Sequence, residues 1–383
     1  MPKEKRRFRA LGINILLCTT SVSIFLGGIE LLARLKYTPQ QHNDFGVIFD
    51  YDKNKAFRLK KNFSGIYADK PFTTNSFGYR SPEIAIKKPE NAKRVLIVGD
   101  SVTFGDGVFG NEIYPSLLEK TLNQHFSDQG TNTVVEVINT AVPMNSPYQE
   151  YYDLMQGLQF DPDVIILQMT LNDIFDMPFV KEFTSKKHLD HVLKERSAFY
   201  LFFKDMYNRV RFRDITGENI TEKAQAQIYD LVEYMINDPN NPELLEAWDM
   251  ALEWIQKMAD AAREENIPLI ILFTPFDLQF GLESKRANPQ RFLRTFAKKE
   301  GAYYIDLLEI LQTKYVESVL EGEVTAEDVD RIIIETNRDN PDLLRAFLDA
   351  HFLDYSHLNP EGHRLTESLL RPYTIEALLS PLP

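Results

Sequence analysis

"RVLIVGDSVTFGDGV", residues 94–108, opens on a short apolar run and turns polar at Gly99, Asp100 and Ser101. Unbroken β-branched runs of this length read as strands buried on both faces, the pattern of a parallel sheet covered by helices. Two readings fit the Asp-Ser at its end. Either the chain simply turns there, or Ser101 is presented at the mouth of the sheet for chemistry.

Working outward, four further runs have the same character: "VVEVIN" (134–139), "DVIILQM" (163–169), "PLIILFT" (268–274) and "AYYID" (302–306). "YPSLLEKTLNQHF" (114–126) and "AWDMALEWIQKMADAAREEN" (247–266) lie between them with apolar residues at helical spacing. Strands alternating with helices imply a parallel sheet with right-handed crossovers and helices on both faces. The expected fold is therefore α/β, a flavodoxin-like three-layer sandwich with a parallel five-stranded sheet. Its ligands would bind beyond the carboxyl ends of the strands. Two segments exceed what crossovers need, about 175–242 after the third strand and about 313–352 after the fifth. Both have a helical pattern and read as helical insertions rooted on the Ser101 side.

The 383 residues carry a formal net charge of −13, which argues against nucleic acid, because phosphate binding needs a basic footprint. Seven histidines and a single cysteine, Cys18, leave few metal ligands and no disulfide framework. At the N-terminus, Lys3, Lys5, Arg6, Arg7 and Arg9 precede a run without charge from Ala10 to Ile29. Twenty residues of helix reach roughly 30 Å, the thickness of a bilayer core. The positive-inside rule then keeps the N-terminus cytoplasmic and exports the rest. A cleaved signal peptide is the alternative, but the run is long for one and no A-x-A site follows. The expected organisation is a basic stub and transmembrane anchor over 1–36, a linker and irregular segment over 37–92, and the sandwich over 93–383. Inside the linker, "NSFGYR" (75–80) reads as a surface turn.

Near the C-terminus stands "DYSHLNPEGHRL" (354–365). A serine hydroxyl is a weak nucleophile that needs an adjacent base, and that base needs a partner to fix its tautomer. Asp354 and His357 can supply both from one loop. Asn172, just past the third strand, can aim an amide N–H at a developing oxyanion, although Asn172-Asp173 also reads as a helix cap. All these residues fall where a parallel sheet gathers its carboxyl ends.

The blocks "VLIVGDSVTFGDGV", "EVINTAVPMNSPYQE", "PDVIILQMTLNDI" and "DYSHLNPEGH" resemble those of the SGNH (GDSL-type) hydrolase superfamily. The N-terminal anchor and "NSFGYR" are similar to those of bacterial envelope members. The resemblance implies an esterase with Ser101 as nucleophile, His357 as base and Asp354 as its orienting acid. It also implies an oxyanion hole from the backbone N–H of Ser101, a backbone N–H at Met144 and the side chain of Asn172. No cofactor or metal is implied. The ester substrate would be small, glycan-linked or lipid-linked. The same residues also suit an acyltransferase acting on an envelope polysaccharide, or an inactive binding scaffold. Ala141 and Met144 replace glycines of the family's second block, and Thr170 replaces one in the third, so the acyl pocket is expected to be reshaped. The order Ser…Asp-x-x-His without G-x-S-x-G argues against the α/β-hydrolase fold.

Other motifs carry less. His188 and His191 have metal-like spacing without a third ligand nearby. "AFYLFFKDMYNRVRFR" (198–213) reads as a buried helix face, or else a lid or membrane-surface helix. "GDGV" (105–108) lacks the spacing and lysine of a phosphate loop. The Asn62 and Asn219 sequons matter only in a eukaryotic secretory source.

Overall fold

A computed structural model describes residues 3–35, 48–174, 197–200, 202–203, 206, 240–281, 288–320 and 325–379. The chain divides into two units, residues 1–49 with 185–222, and residues 50–184 with 223–383. The first contains helix α1 (Lys3–Ala33). Near its C-terminal end, Glu30 accepts hydrogen bonds from the Ser197 hydroxyl and the Ala198 and Phe199 amides, and Ala33 packs on Ala198.

Two small hairpins come next in the chain, β1 (Phe49–Asp52) with β2 (Ala56–Leu59), and β3 (Ser64–Tyr67) paired antiparallel with β4 (Lys70–Thr73). The main framework follows: β5 (Ala92–Val98), α2 (Ser101–Phe104), α3 (Tyr114–Asp128), β6 (Val134–Asn139), α4 (Pro147–Gly157) and β7 (Val164–Met169). After residues 175–239 come α5 (Pro242–Glu264), β8 (Leu269–Phe273), α6 (Asn288–Glu300), β9 (Tyr303–Asp306) and α7 (Leu307–Val319). The chain closes with α8 (Ala326–Asp339), α9 (Pro341–Asp349) and α10 (Pro360–Leu379).

Five strands form one parallel sheet in the order β6-β5-β7-β8-β9. This is the flavodoxin-like order, and the fold class is the expected one. Side chains alternate across it with the period of two that a strand imposes. Val95 and Ile97 face one core with Leu118 and Leu122 of α3 and Leu370 of α10. Leu96 and Val98 face the other, with Leu154 of α4 and Ile255 and Met258 of α5. Each such side chain, fully buried, contributes about 1.5–3 kcal/mol, so covering both faces is what makes the unbroken apolar runs favourable. Arg94 is the exception within β5. It is buried, and its guanidinium donates to Glu136 at 2.7 Å and to the carbonyls of Ala85, Ile86 and Phe160 at 2.6–3.0 Å. The chain leaves β5 for β6 on one side and returns to β7 on the other, which opens a crevice at the carboxyl end of β5.

Of the stretch read as a linker, residues 48–92 are built into the fold. Lys55 in the β1–β2 turn is 2% exposed and forms an ion pair with Asp153 of α4. "NSFGYR" is a turn, but an interior one, with Asn75, Tyr79 and Arg80 only 5–7% exposed. The Asn75 carboxamide oxygen accepts from the Phe77 and Tyr79 amides at 3.0 Å, so a local side-chain hydrogen bond makes the turn and leaves Tyr79 and Arg80 for packing. The described part of the segment at 313–352 is mostly helical, made of the end of α7 with α8 and α9, and Leu344, Leu348, Ile332 and Ile333 pack with Val102, beside Ser101. Most of the insertion at about 175–242, including His188, His191 and most of 198–213, lies outside the described residues.

Candidate active site

The Ser101 turn is made locally. Asp100 caps α2, its carboxylate accepting from the Val102 amide at 3.0 Å. The turn ends at Gly105, whose φ of 87° lies in the left-handed region. A Cβ there would also stand 2.2 Å from Ile113, so no other residue fits. Arg80 then clamps the exit, donating to the carbonyls of Phe104 (2.7 Å), Gly105 (2.9 Å) and Val108 (2.8 Å). Ser101 is thereby held at the end of β5 by backbone geometry on one side and a buried guanidinium on the other.

The histidine loop closes on itself. Phe352 and Leu358 form an antiparallel bridge, and the Leu353 amide donates to the His357 carbonyl at 2.7 Å. Inside it, Asp354 Oδ1 accepts from the Ser356 and His357 amides, both at 2.9 Å. Asn359 Oδ1 receives the amides of Glu361 (2.9 Å) and Gly362 (3.0 Å) at the start of α10. Gly362 approaches the loop so closely that a Cβ would lie 2.2 Å from the His351 carbonyl oxygen.

These two turns meet. His357 Nδ1 lies 2.8 Å from Asp354 Oδ2, and Nε2 lies 2.9 Å from Ser101 Oγ. With the Nδ1 proton donated to Asp354, Nε2 accepts from the Ser101 hydroxyl. Burial would raise the Asp354 carboxyl, but the hydrogen bonds from the His357 ring and the two loop amides hold it below the usual carboxylate range. Burial would lower the His357 imidazole, yet the Asp354 hydrogen bond and the charges of Asp106, Asp354 and Asp100 hold it at about 9. The site is therefore an imidazole of enhanced basicity poised over a serine hydroxyl.

The remaining sequence candidates lie on strand ends next to β5. Met144 is in the loop after β6 and has φ 68°, the conformation a glycine would adopt there. Asn139 ties this loop to the Ser101 turn, its amide nitrogen donating to the Thr103 carbonyl at 3.2 Å and its oxygen accepting from the Ala141 amide at 3.1 Å. Asn172 is in the 3-10 turn Leu171–Ile174 after β7, and its buried carboxamide oxygen has no hydrogen-bond partner among the described residues. Asp173 accepts from the Thr170 amide at 2.7 Å and closes that turn.

Reasoning from sequence missed Arg80, Tyr67, Lys55 and Asp106. Tyr67 packs edge-on against Phe104 at 5.8 Å, which brings the β3–β4 hairpin onto the Ser101 turn. Asp106 stands 3.8 Å from His357 Nε2. Its only sequence signal was its place between two glycines, Gly105 and Gly107, where the chain must turn sharply. Among the described residues no group of three or more His, Cys, Asp or Glu is arranged to hold a metal.

A doubly wound sheet with a serine, histidine and aspartate linked at its carboxyl edge has the build of a serine-dependent hydrolase. Residues 97–365 match the GDSL-like Lipase/Acylhydrolase family, and the chain belongs to that family. Among solved structures it is similar to a GDSL-like lipase from Bacteroides thetaiotaomicron at 13% identity, covering 77% of this chain and 93% of that one with a TM-score of 0.34. It is also similar to an acetylxylan esterase from Geobacillus stearothermophilus at 12% identity, covering 76% and 97% with a TM-score of 0.38. No curated protein matches the chain in sequence.

Proposed function

We propose that the protein is a serine hydrolase that cleaves carboxylic esters through an acyl-enzyme on Ser101. The observation that carries this reading is the hydrogen-bonded chain from Ser101 through His357 to Asp354, at 2.9 and 2.8 Å. His357 Nε2 takes the Ser101 proton as Oγ attacks the ester carbonyl carbon, and Asp354 stabilises the imidazolium that forms. The oxyanion is received by the backbone N–H groups of Ser101 and Met144 and by the Asn172 amide. His357 then returns its proton to the departing alcohol, and water repeats the sequence to release the acid.

We further propose that the domain works outside the cytoplasm on a membrane anchor. Gly12–Ala33 within α1 is 22 residues long with a mean hydropathy of 1.9, sufficient to span a bilayer, and basic residues precede it.

A fluorophosphonate probe and a simple acetyl ester test the chemistry together. Wild type should be labelled and should hydrolyse the ester. Ser101→Ala should lose labelling and about 10⁴-fold or more in turnover while its circular dichroism stays unchanged, since members of such a triad act as a unit. Wild-type turnover by Ser101→Ala would sink the reading.

A further inference from the structure

A second carboxylate faces the imidazole on the side away from Asp354. Asp106 Oδ2 lies 3.8 Å from His357 Nε2, the nitrogen that also meets Ser101 Oγ at 2.9 Å. Its other oxygen is buried without a hydrogen-bond partner. Burying a carboxylate in this way is unfavourable, so the fold must hold it there against its own solvation. The restraints are visible. The Asp106 amide donates to the Ser101 carbonyl at 3.2 Å, and the flanking Gly105 and Gly107 have φ of 87° and 73°. Arg80 fixes the carbonyls of Gly105 and Val108 on either side. The Tyr67 hydroxyl, brought by the β3–β4 hairpin, lies against the same carboxylate.

Resting on the esterase reading above, we propose that Asp106 is a positioning residue for acyl transfer, stabilising the His357 imidazolium from its Nε2 side as Ser101 gives up its proton. In that step one proton moves from Ser101 Oγ to His357 Nε2. The Oγ electron pair forms the bond to the carbonyl carbon, and the carbonyl π pair moves to its oxygen. Asp106 exchanges no proton; it acts through the charge it sets beside Nε2. Asp354 holds Nδ1, so the two carboxylates bracket the ring.

The charged and titratable groups around this pair can be named. Asp354, Asp106 and Asp100 act on His357, while His357, Asp100, Arg80 and Tyr67 act on Asp106. His363, on which Arg80 and His357 act, is held neutral, burial lowering it to about 3. Burial raises the Asp106 carboxyl to about 7, with His357 drawing it the other way. Removing the Asp106 charge therefore makes the imidazolium easier to deprotonate, and the acidic limb of activity moves to lower pH.

The test uses the whole chain in detergent with ¹³C-labelled histidine, the His357 signal being assigned from its loss in His357→Gln. Asp106→Asn should lower the His357 titration midpoint by about one pH unit or more. Tyr67→Phe, which removes the hydroxyl that favours the Asp106 carboxylate, should lower it by less and in the same direction. In ester hydrolysis, the acidic limb of kcat/KM should shift by a matching amount, with a plateau reduced roughly tenfold. An unchanged His357 midpoint in Asp106→Asn overturns the proposal, as does lost activity with an unmoved limb. If Asp106→Asn does not fold, an unchanged midpoint in Tyr67→Phe overturns it. The midpoint is read without any substrate. A protein inert to esters that still shows the shift supports the Asp106–His357 pairing while refuting the esterase reading.

Discussion

Met144 keeps a backbone conformation, φ 68°, that side-chain-bearing residues adopt at a cost of roughly 1–2 kcal/mol. The difference from the family was readable in sequence, where methionine stands in place of glycine. That the backbone nevertheless keeps the glycine-like turn was not readable, because the hydrogen bonds of Asn139 and Asn145 that hold the loop reach distant residues such as Thr103 and Asp153. Asn145 donates to Asp153 at 2.8 Å, which ties the loop to the buried Lys55 pair. Met144→Gly should relieve the strain, offset by the roughly 0.5–1 kcal/mol that a glycine adds to unfolded-chain entropy. The denaturant midpoint should stay level or rise. A drop equivalent to more than about 1 kcal/mol would show that the Met144 side chain packs favourably enough to outweigh its backbone. If that side chain also limits the acyl pocket, turnover of butyryl esters should rise relative to acetyl. An unchanged ratio would place it away from the acyl chain.

At the level of elements, the sheet was legible because its strands are buried on both faces and therefore read as continuous apolar runs. The Ser101 and Asp354–His357 turns were legible because cap, turn and glycine signals are local. The hairpins were not. Their four-residue strands, such as "FDYD" and "SGIY", have too few residues to show a period. Their decisive contacts reach far along the chain, with Lys55 meeting a partner 98 residues away. Arg80 is similar, its guanidinium bonding carbonyls 24–28 residues on. The packing of α10 on α3 gives a testable pH dependence. His363 Nδ1 accepts from the Tyr114 amide at 3.2 Å, the two rings stack at 5.9 Å, and burial lowers the imidazole to about 3. The folded midpoint is thus below the unfolded value of about 6.5, and the unfolded chain binds the extra proton between them. His363 therefore costs the fold about 1.4 kcal/mol per pH unit as pH falls from about 6.5 towards 3. His363→Gln, which can still accept from Tyr114, should lack that component. Its stability relative to wild type should rise steadily as pH drops through this window, and a constant difference would show that His363 does not titrate on unfolding.

At the scale of the whole molecule, α1 carries a stretch, Gly12–Ala33, long and apolar enough to span a bilayer. If it anchors the protein, the chain should stay with membranes through a high-salt wash, and protease added outside spheroplasts should digest the hydrolase. Recovery of a soluble form beginning after about residue 30 would show instead a cleaved signal. The buried Lys55–Asp153 pair bears on a different matter, the choice of a fragment for expression. Cutting the chain at residue 97, where the family match begins, removes most of β5, the strand that carries Ser101 at its end, as well as both hairpins. Cutting at 93 spares nearly all of the strand but still takes Lys55, leaving Asp153 as a lone buried charge, a loss of about 3–5 kcal/mol. A fragment from residue 48 keeps the pair, the Arg80 clamp and Tyr67 together. It should melt cooperatively and accept a fluorophosphonate, whereas one from residue 93 should aggregate; equal melting of the two would show that the hairpins are dispensable. Soluble material for the laboratory should therefore start at the hairpins, well upstream of residue 97, where the family match begins.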